Sequence, residues 1–270
     1  MEILGFIGSG NMAEALIRGL LRAKIFEPQR ILVSDIRGER LGELEKKYGV
    51  RGVKNNCELV KQSDIVVLSV KPQNMAEVLE EIKGALKGNT LIISIAAGIT
   101  TGRIRQVLGK RAVIRVMPNM PALAGEGASA LFATDEAAGD IERAAKLFSS
   151  VGKAAAIEDE NLMDAVTAVS GSGPAYYFLV MEEMIAAAVE LGLDKETAKE
   201  LVLQTAKGSA ELALTADIDN RSPSELRKNV TSPGGTTEAA LEVLTKGGFG
   251  QLLRDAIHKA RDRSRQLSGS

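Results

Sequence analysis

Ile3-Leu4-Gly5-Phe6-Ile7-Gly8-Ser9-Gly10-Asn11-Met12-Ala13 is the stretch on which the reading of the fold turns. The apolar run Ile3–Ile7 predicts a buried strand, and a helical pattern runs from Asn11 to Ala23. Gly8 permits a tight turn between them, and Gly10 lets the backbone approach a pyrophosphate. Ala13 stands where a third small residue allows close packing of helix on strand. The start of the helix then offers free N–H groups and a positive dipole to phosphates. Ile7, Gly8, Ser9, Gly10, Asn11 and Met12 are therefore expected to line a dinucleotide site.

Working outward, the same theme repeats. Ile31–Val33, Ile65–Val70, Leu91–Ile95 and Val113–Met117 read as strands, with helical patterns at Met75–Leu86 and Ile99–Leu108. Continuous apolar strands separated by helices indicate a parallel sheet covered on both faces. Ala128–Ala133 and Ala154–Ile157 read as weaker strands at its far edge. The fold class is thus α/β: an N-terminal doubly wound, Rossmann-type parallel sheet over residues 1–158. After Glu158 the strand runs stop, and residues 159–270 read as an all-α domain. Its helices are expected at Ala175–Leu191, Lys195–Thr215, Ser224–Asn229, Thr236–Thr245 and Gly250–Leu267. The first of these is apolar nearly all round and needs partners on every side.

Other strand ends extend the nucleotide site. An acidic residue that holds ribose is expected roughly 20 residues after the glycine turn. Asp35 lies 25 residues after Gly10, directly behind Ile31–Ser34. Arg37 and Arg40 follow and suit a 2′-phosphate, so the residues favour NADH on one count and NADPH on the other. Ser69-Val70-Lys71-Pro72 and Ala96-Ala97-Gly98 sit at carboxyl ends of strands, where ligands of such sheets bind.

Composition narrows the classes. The 270 residues suggest about two domains at ~100–200 residues each, and 45% hydrophobic with 26% charged content describes a globular chain. With 34 basic against 35 acidic residues there is no basic excess for nucleic acid or an anionic membrane surface. The single cysteine, Cys57, and single histidine, His258, exclude an internal disulfide and a His/Cys metal centre. Met1–Ile7 lacks the basic start of a signal peptide, and Pro174–Val189 is too short to span a bilayer. A cytoplasmic protein is expected. His258 sits among Lys259, Arg261, Arg263 and Arg265 on what reads as a solvated helix face, not a catalytic one.

Ser232-Pro233-Gly234-Gly235-Thr236-Thr237 runs straight into a helical pattern and would present N–H groups and hydroxyls to a carboxylate. Together with Gly8–Ala13, Val70-Lys71-Pro72, Ala96-Ala97-Gly98, Met117-Pro118-Asn119-Met120-Pro121 and Ser170-Gly171-Ser172-Gly173-Pro174-Ala175-Tyr176, it makes the chain resemble the pyrroline-5-carboxylate reductases. That resemblance implies reduction of 1-pyrroline-5-carboxylate to L-proline by NADPH or NADH, in the last step of proline synthesis. It implies that Ser232, Gly235, Thr236, Thr237 and Asn229 bind substrate, with the Thr237 hydroxyl facing the ring nitrogen. It also places Ser34, Asn56 and Asn119 at the cofactor. Interlocked homodimers built from the helical domain, stacked into rings as large as a decamer, are implied as well. Three residues depart from the family pattern: Met120 replaces a threonine, Lys228 an aspartate, and Asp35 a small polar residue.

Two alternatives belong to other classes. A β-hydroxyacid dehydrogenase needs a lysine in a Gly-Ser-Gly-x-x-x-Lys helix, whereas Gly171-Ser172-Gly173 here leads to Pro174-Ala175-Tyr176-Tyr177. A non-catalytic dinucleotide sensor would have no use for the hydroxyl-rich turn Ser232–Thr237.

Overall fold

The computed structural model describes residues 2–269. Eight strands form one sheet: β1 (Leu4–Ile7), β2 (Ile31–Ser34), β3 (Arg51–Gly52), β4 (Ile65–Leu68), β5 (Leu91–Ser94), β6 (Val113–Met117), β7 (Gly127–Ala133) and β8 (Gly152–Ala156). The helices threaded among them are α1 (Asn11–Arg22), α2 (Gly38–Tyr48), α3 (Asn56–Gln62), α4 (Met75–Ile82), α5 (Thr101–Leu108) and α6 (Ile141–Phe148). Then follow α7 (Met163–Val166), α8 (Gly173–Glu190), α9 (Lys195–Ile218), α10 (Pro223–Asn229), α11 (Thr236–Lys246) and α12 (Phe249–Ser268).

The strand order is β3-β2-β1-β4-β5-β6-β7-β8, and β1 to β6 pair in parallel. Alternation along each strand explains why the apolar runs are continuous. Leu4, Phe6, Ile31, Val33, Ile65, Val67, Leu91 and Ile93 enter one core with α1. Ile7, Leu32, Val66, Leu68 and Ile92 enter a second core on the other face, with α4 and α5. A strand buried on both faces favours apolar residues throughout. The buried exceptions are Ser34, Ser94 and Arg115, the last paired with Glu160 at 3.1 Å.

β7 departs from the parallel expectation. It runs antiparallel to β6, and β8 then runs parallel to β7. The link from Met117 to Gly127 holds only a short 3-10 turn, Met120–Ala124, and is too short for a parallel crossover of a dozen or more residues. Between β7 and β8, α6 supplies such a crossover, burying Ala144, Leu147 and Phe148. Neither α2 nor α6 was among the expected helices; both are short and strongly polar on one face.

Two compact units divide the chain: Met1–Pro174 with Lys259–Ser270, and Ala175–His258. The sequence had drawn one boundary at residue 158. The end of α12 belongs to the first unit because its own side chains dock there. Ser264 Oγ donates to Asp164 Oδ1 at 2.6 Å, with both residues buried. The backbone of Leu267 lies 3.4 Å from where a Cβ on Gly98 would stand, and Gly98 has φ +71°.

In the second unit, α8 keeps its apolar side chains exposed. Tyr177, Phe178, Leu179, Val180 and Met184 are all open to solvent in the single chain. Ser222 caps α10 through a reciprocal bond with Glu225, and Pro223 fills its first turn. Gly192 ends α8 at φ +101°, but at the end of α11 it is Gly248, at φ +75°, rather than Gly247 that takes the left-handed turn. Among the described residues no helix is long and apolar enough to cross a membrane.

Candidate active site

Parallel pairing in the order β2-β1-β4-β5-β6 brings the expected cofactor residues to one edge of the sheet. Gly8, at φ +93°, turns the chain so tightly that a Cβ there would sit 2.8 Å from the Ser69 carbonyl oxygen. The Ser69 hydroxyl reinforces the approach, donating to the carbonyls of Gly8 at 2.7 Å and Ile7 at 3.0 Å. Gly10 is different: its φ is −67°, and nothing lies within 4 Å of an added Cβ. It is the N-cap of α1, and no side chain caps that helix. Asn11 begins the helix exposed, while Met12 packs against the core. An open glycine at an uncapped helix N-terminus fits a pyrophosphate.

Asp35 closes the turn from the β2 side. Its Oδ2 accepts from the Ser9 backbone N–H at 2.9 Å and from Ser9 Oγ at 2.5 Å. Its Oδ1 accepts from the Arg37 N–H at 2.9 Å and Nε at 3.0 Å. Burial by itself pushes this carboxyl upward, but the hydrogen bonds of Arg37 and Ser9 outweigh it and hold the group far below the usual carboxylate range. Next to it, Ser34 Oγ donates to Asn56 Oδ1 at 2.7 Å, and Asn56 Nδ2 donates to Glu81 at 2.7 Å.

The rest of the edge is more varied. Val70 is half-buried, and Lys71 and Pro72 are exposed ahead of a short 3-10 turn. Ala97 is exposed between buried Ala96 and Gly98. Both polar atoms of the Asn119 side chain meet the protein: Nδ2 donates to the Ser170 carbonyl at 3.1 Å and Oδ1 accepts from Ala128 N–H at 2.8 Å. It braces the start of β7 against the Ser170–Tyr176 motif. Met120 beside it, which departs from the family pattern, is 57% exposed in the single chain and lies outside the buried core.

Sequence reading missed Glu14. Its carboxylate, in the first turn of α1, pairs with Arg40 and accepts from Lys47 Nζ at 2.9 Å and Tyr48 Oη at 2.8 Å. Hydrogen bonds from Lys47 and then Arg40 lower its pKa from 4.5 to about 2, against a smaller upward push from burial. A cavity of about 690 Å³ opens here, bordered by Ser9, Gly10, Asn11, Arg37, Arg40 and Glu43 among others. The only advance signal was an acidic residue in a helix first turn, which is too common to single out.

The Ser232–Thr237 turn lies in the second unit. Gly234 has φ +70°, and Gly235 is the N-cap of α11, again with no side-chain cap. A Cβ on Gly235 would meet the Ser232 carbonyl at 2.9 Å, so this glycine is required by the turn itself. Glu238 reaches back to accept from Gly234 N–H at 2.7 Å and orders the turn. Thr237 is half-buried and Thr236 exposed; Asn229 is the exposed last residue of α10. The adjoining cavity of about 660 Å³ is bordered by Gly234, Gly235, Glu238 and Glu242, not by Ser232, Thr236 or Thr237. His258 is exposed on α12. Among the described residues no group of three or more His, Cys, Asp or Glu is placed to hold a metal.

Residues 160–267 match the family model described as pyrroline-5-carboxylate reductase dimerisation, and residues 3–98 match NADP oxidoreductase, coenzyme F420-dependent. A pyrroline-5-carboxylate reductase of Pseudomonas aeruginosa is 46% identical over 98% of this chain and 96% of its own. The chain belongs to the pyrroline-5-carboxylate reductase family. The family likeness extends to three dimensions. A pyrroline-5-carboxylate reductase from Coxiella burnetii superposes with a TM-score of 0.93 at 40% identity, covering 99% of this chain and 98% of that one. The Plasmodium falciparum pyrroline carboxylate reductase, solved with NADP bound, gives 0.87 at 33% identity with the same coverage.

Proposed function

We propose that the chain reduces 1-pyrroline-5-carboxylate to L-proline with NADPH or NADH, completing proline synthesis. One observation carries the site assignment. In a chain of this family, α1 and α11 each begin on a glycine N-cap that leaves their first-turn N–H groups without a side-chain partner. The first suits a pyrophosphate and the second a small carboxylate, since both anions are stabilised at helix N-termini.

Gly8, Ser9 and Gly10 hold the dinucleotide pyrophosphate, Ser34, Asp35 and Asn56 its adenosine ribose, and the Ser69–Pro72, Ala96–Gly98 and Asn119 segments its nicotinamide half. When bound, the reduced nicotinamide supplies the hydride that the imine carbon accepts. Ser232 and the backbone N–H groups of Thr236 and Thr237 grip the substrate carboxylate, with Asn229 alongside and Gly235 shaping the turn. The Thr237 hydroxyl aligns the ring nitrogen and relays a proton from water; a threonine is too weak an acid to protonate it outright. A ring iminium is already a good acceptor, so orientation supplies most of the rate.

The exposed apolar face of α8 belongs, on this reading, in a homodimer built from the helical region, with a decamer as the larger assembly. The lone Cys57 is consistent with the reducing cytoplasm. The deciding experiment is oxidation of NADPH or NADH in the presence of 1-pyrroline-5-carboxylate, with L-proline measured as product. Cofactor oxidation without proline, or no oxidation, refutes the proposal.

A further inference from the structure

The cavity beside the glycine turn is rich in charge, and its cations are already taken. Arg37 and Arg40 border it, together with Glu14, Glu39 and Glu43. Arg37 is folded onto Asp35, its Nε and Nη2 at 3.0 and 3.2 Å from the two carboxylate oxygens. Arg40 is held from three sides: by Glu14, by Glu43 at 2.9 Å, and by the Ser9 carbonyl at 3.1 Å. Lys47 also pairs with Glu14, at 2.9 Å. Glu14 and Arg40 are each only 19% exposed in their side chains, so this pair is screened less than a surface ion pair.

A 2′-phosphate brings nearly two negative charges to this place. To bind it, Arg40 would have to leave Glu14 and Glu43, exposing their carboxylates to the phosphate. Arg37, 61% exposed, can swing away from Asp35 at little cost, but it then bares a third carboxylate. A 2′-hydroxyl needs no cation, and the Asp35 oxygens released by Arg37 can accept from it. We infer that Glu14, by occupying Arg40 and Lys47, makes this nucleotide site select the unphosphorylated ribose of NADH over that of NADPH. Both cofactors are turned over, and the unequal affinity is set on α1 rather than at Asp35 alone. The inference rests on the proposed reductase reading for its ligand.

Direct binding tests it without turnover. The dissociation constants of NADH and NADPH are measured by fluorescence titration of the full chain, at low and high salt. The wild-type protein is expected to bind NADH about tenfold or more tightly than NADPH. Glu14→Gln keeps the shape but removes the charge that pairs Lys47 and Arg40, leaving Arg40 only Glu43 and the Ser9 carbonyl. It should move the ratio about tenfold toward NADPH, with the gain shrinking at high salt. Arg40→Met in the otherwise unchanged chain is the second variant and covers a failure of Glu14→Gln to fold. With Arg40 already occupied, its loss should change the NADH/NADPH ratio by less than about threefold. Equal or tighter NADPH binding by the wild type, or an unchanged ratio in folded Glu14→Gln, overturns the inference. So does a tenfold loss confined to NADPH in Arg40→Met. Failure to bind either nucleotide overturns both proposals. The expected binding ratios with no proline formed overturn the reductase reading alone.

Discussion

Gly8 and Gly10 are two residues apart in one motif, yet an added methyl group should act on them in opposite ways. At Gly8, alanine must adopt φ +93° and place its Cβ 2.8 Å from Ser69 O, 2.9 Å from Ser69 C and 3.0 Å from Val70 N. All three are backbone atoms of the segment leaving β4, which is paired to β1 on one side and β5 on the other and cannot yield easily. The left-handed backbone costs about 1–2 kcal/mol, and the overpacking about 1–3 kcal/mol more. The sum, about 2–5 kcal/mol, corresponds to a fall in Tm of about 4–20 °C. At Gly10 the backbone is extended and nothing lies within 4 Å, so alanine loses only its advantage as an N-cap and gains from a stiffer unfolded chain. Its net effect on stability should stay within about 1 kcal/mol. The same methyl group would, however, stand where the pyrophosphate must approach. Losing one charge-assisted hydrogen bond of about 1.5–3 kcal/mol weakens NADH binding about 10- to 150-fold. Thermal melts and fluorescence titration of the two variants separate these effects. Gly10→Ala binding NADH as tightly as the wild type would refute the pyrophosphate assignment, and Gly8→Ala melting at the wild-type temperature would refute the packing argument.

At the other turn, Thr237→Val removes a hydroxyl while keeping shape and N–H; steady-state kinetics should show kcat falling about 5- to 150-fold, more than KM rises. Ser232→Ala should mainly raise KM, His258→Ala should be nearly silent, and the reverse pattern would undo the assignment. Ser264→Ala leaves the buried Asp164 carboxylate without the 2.6 Å hydrogen bond and should cost about 1–3 kcal/mol in urea unfolding. Folding lowers the pKa of Glu14 from 4.5 to about 2, so the stability it contributes is complete above pH 4.5 and is lost as the pH falls toward 2. Tm should decline across that window, more shallowly in Glu14→Gln; identical slopes would contradict the pairing with Lys47 and Arg40.

What the sequence determined by itself was local. The strands β1, β2, β4, β5 and β6 were legible because strands buried on both faces are apolar along most of their length, with Arg115 of β6, paired to Glu160, the charged exception. The glycine turn was legible because a strand, a small-residue loop and a helix within a dozen residues leave few alternatives. The Ser232–Thr237 turn was legible as a glycine-opened helix start for the same reason, since Gly234 and Gly235 shape it within the chain itself. Tertiary structure decided everything that depends on which groups meet. Arg37 and Arg40 looked available for a phosphate, and only folding α2 against α1 delivered them to Asp35 and Glu14. Asn119 read only as a cofactor-side residue, and it was the antiparallel β7 that put the Ala128 N–H against its side-chain oxygen and gave it a bracing role as well. Residues 259–269 read as the tail of a helical domain, because periodicity records that a helix has an apolar face but not which surface covers it. That partner, the Gly98 and Asp164 region of the first unit, lies about 100 residues or more away along the chain, beyond the reach of any local pattern.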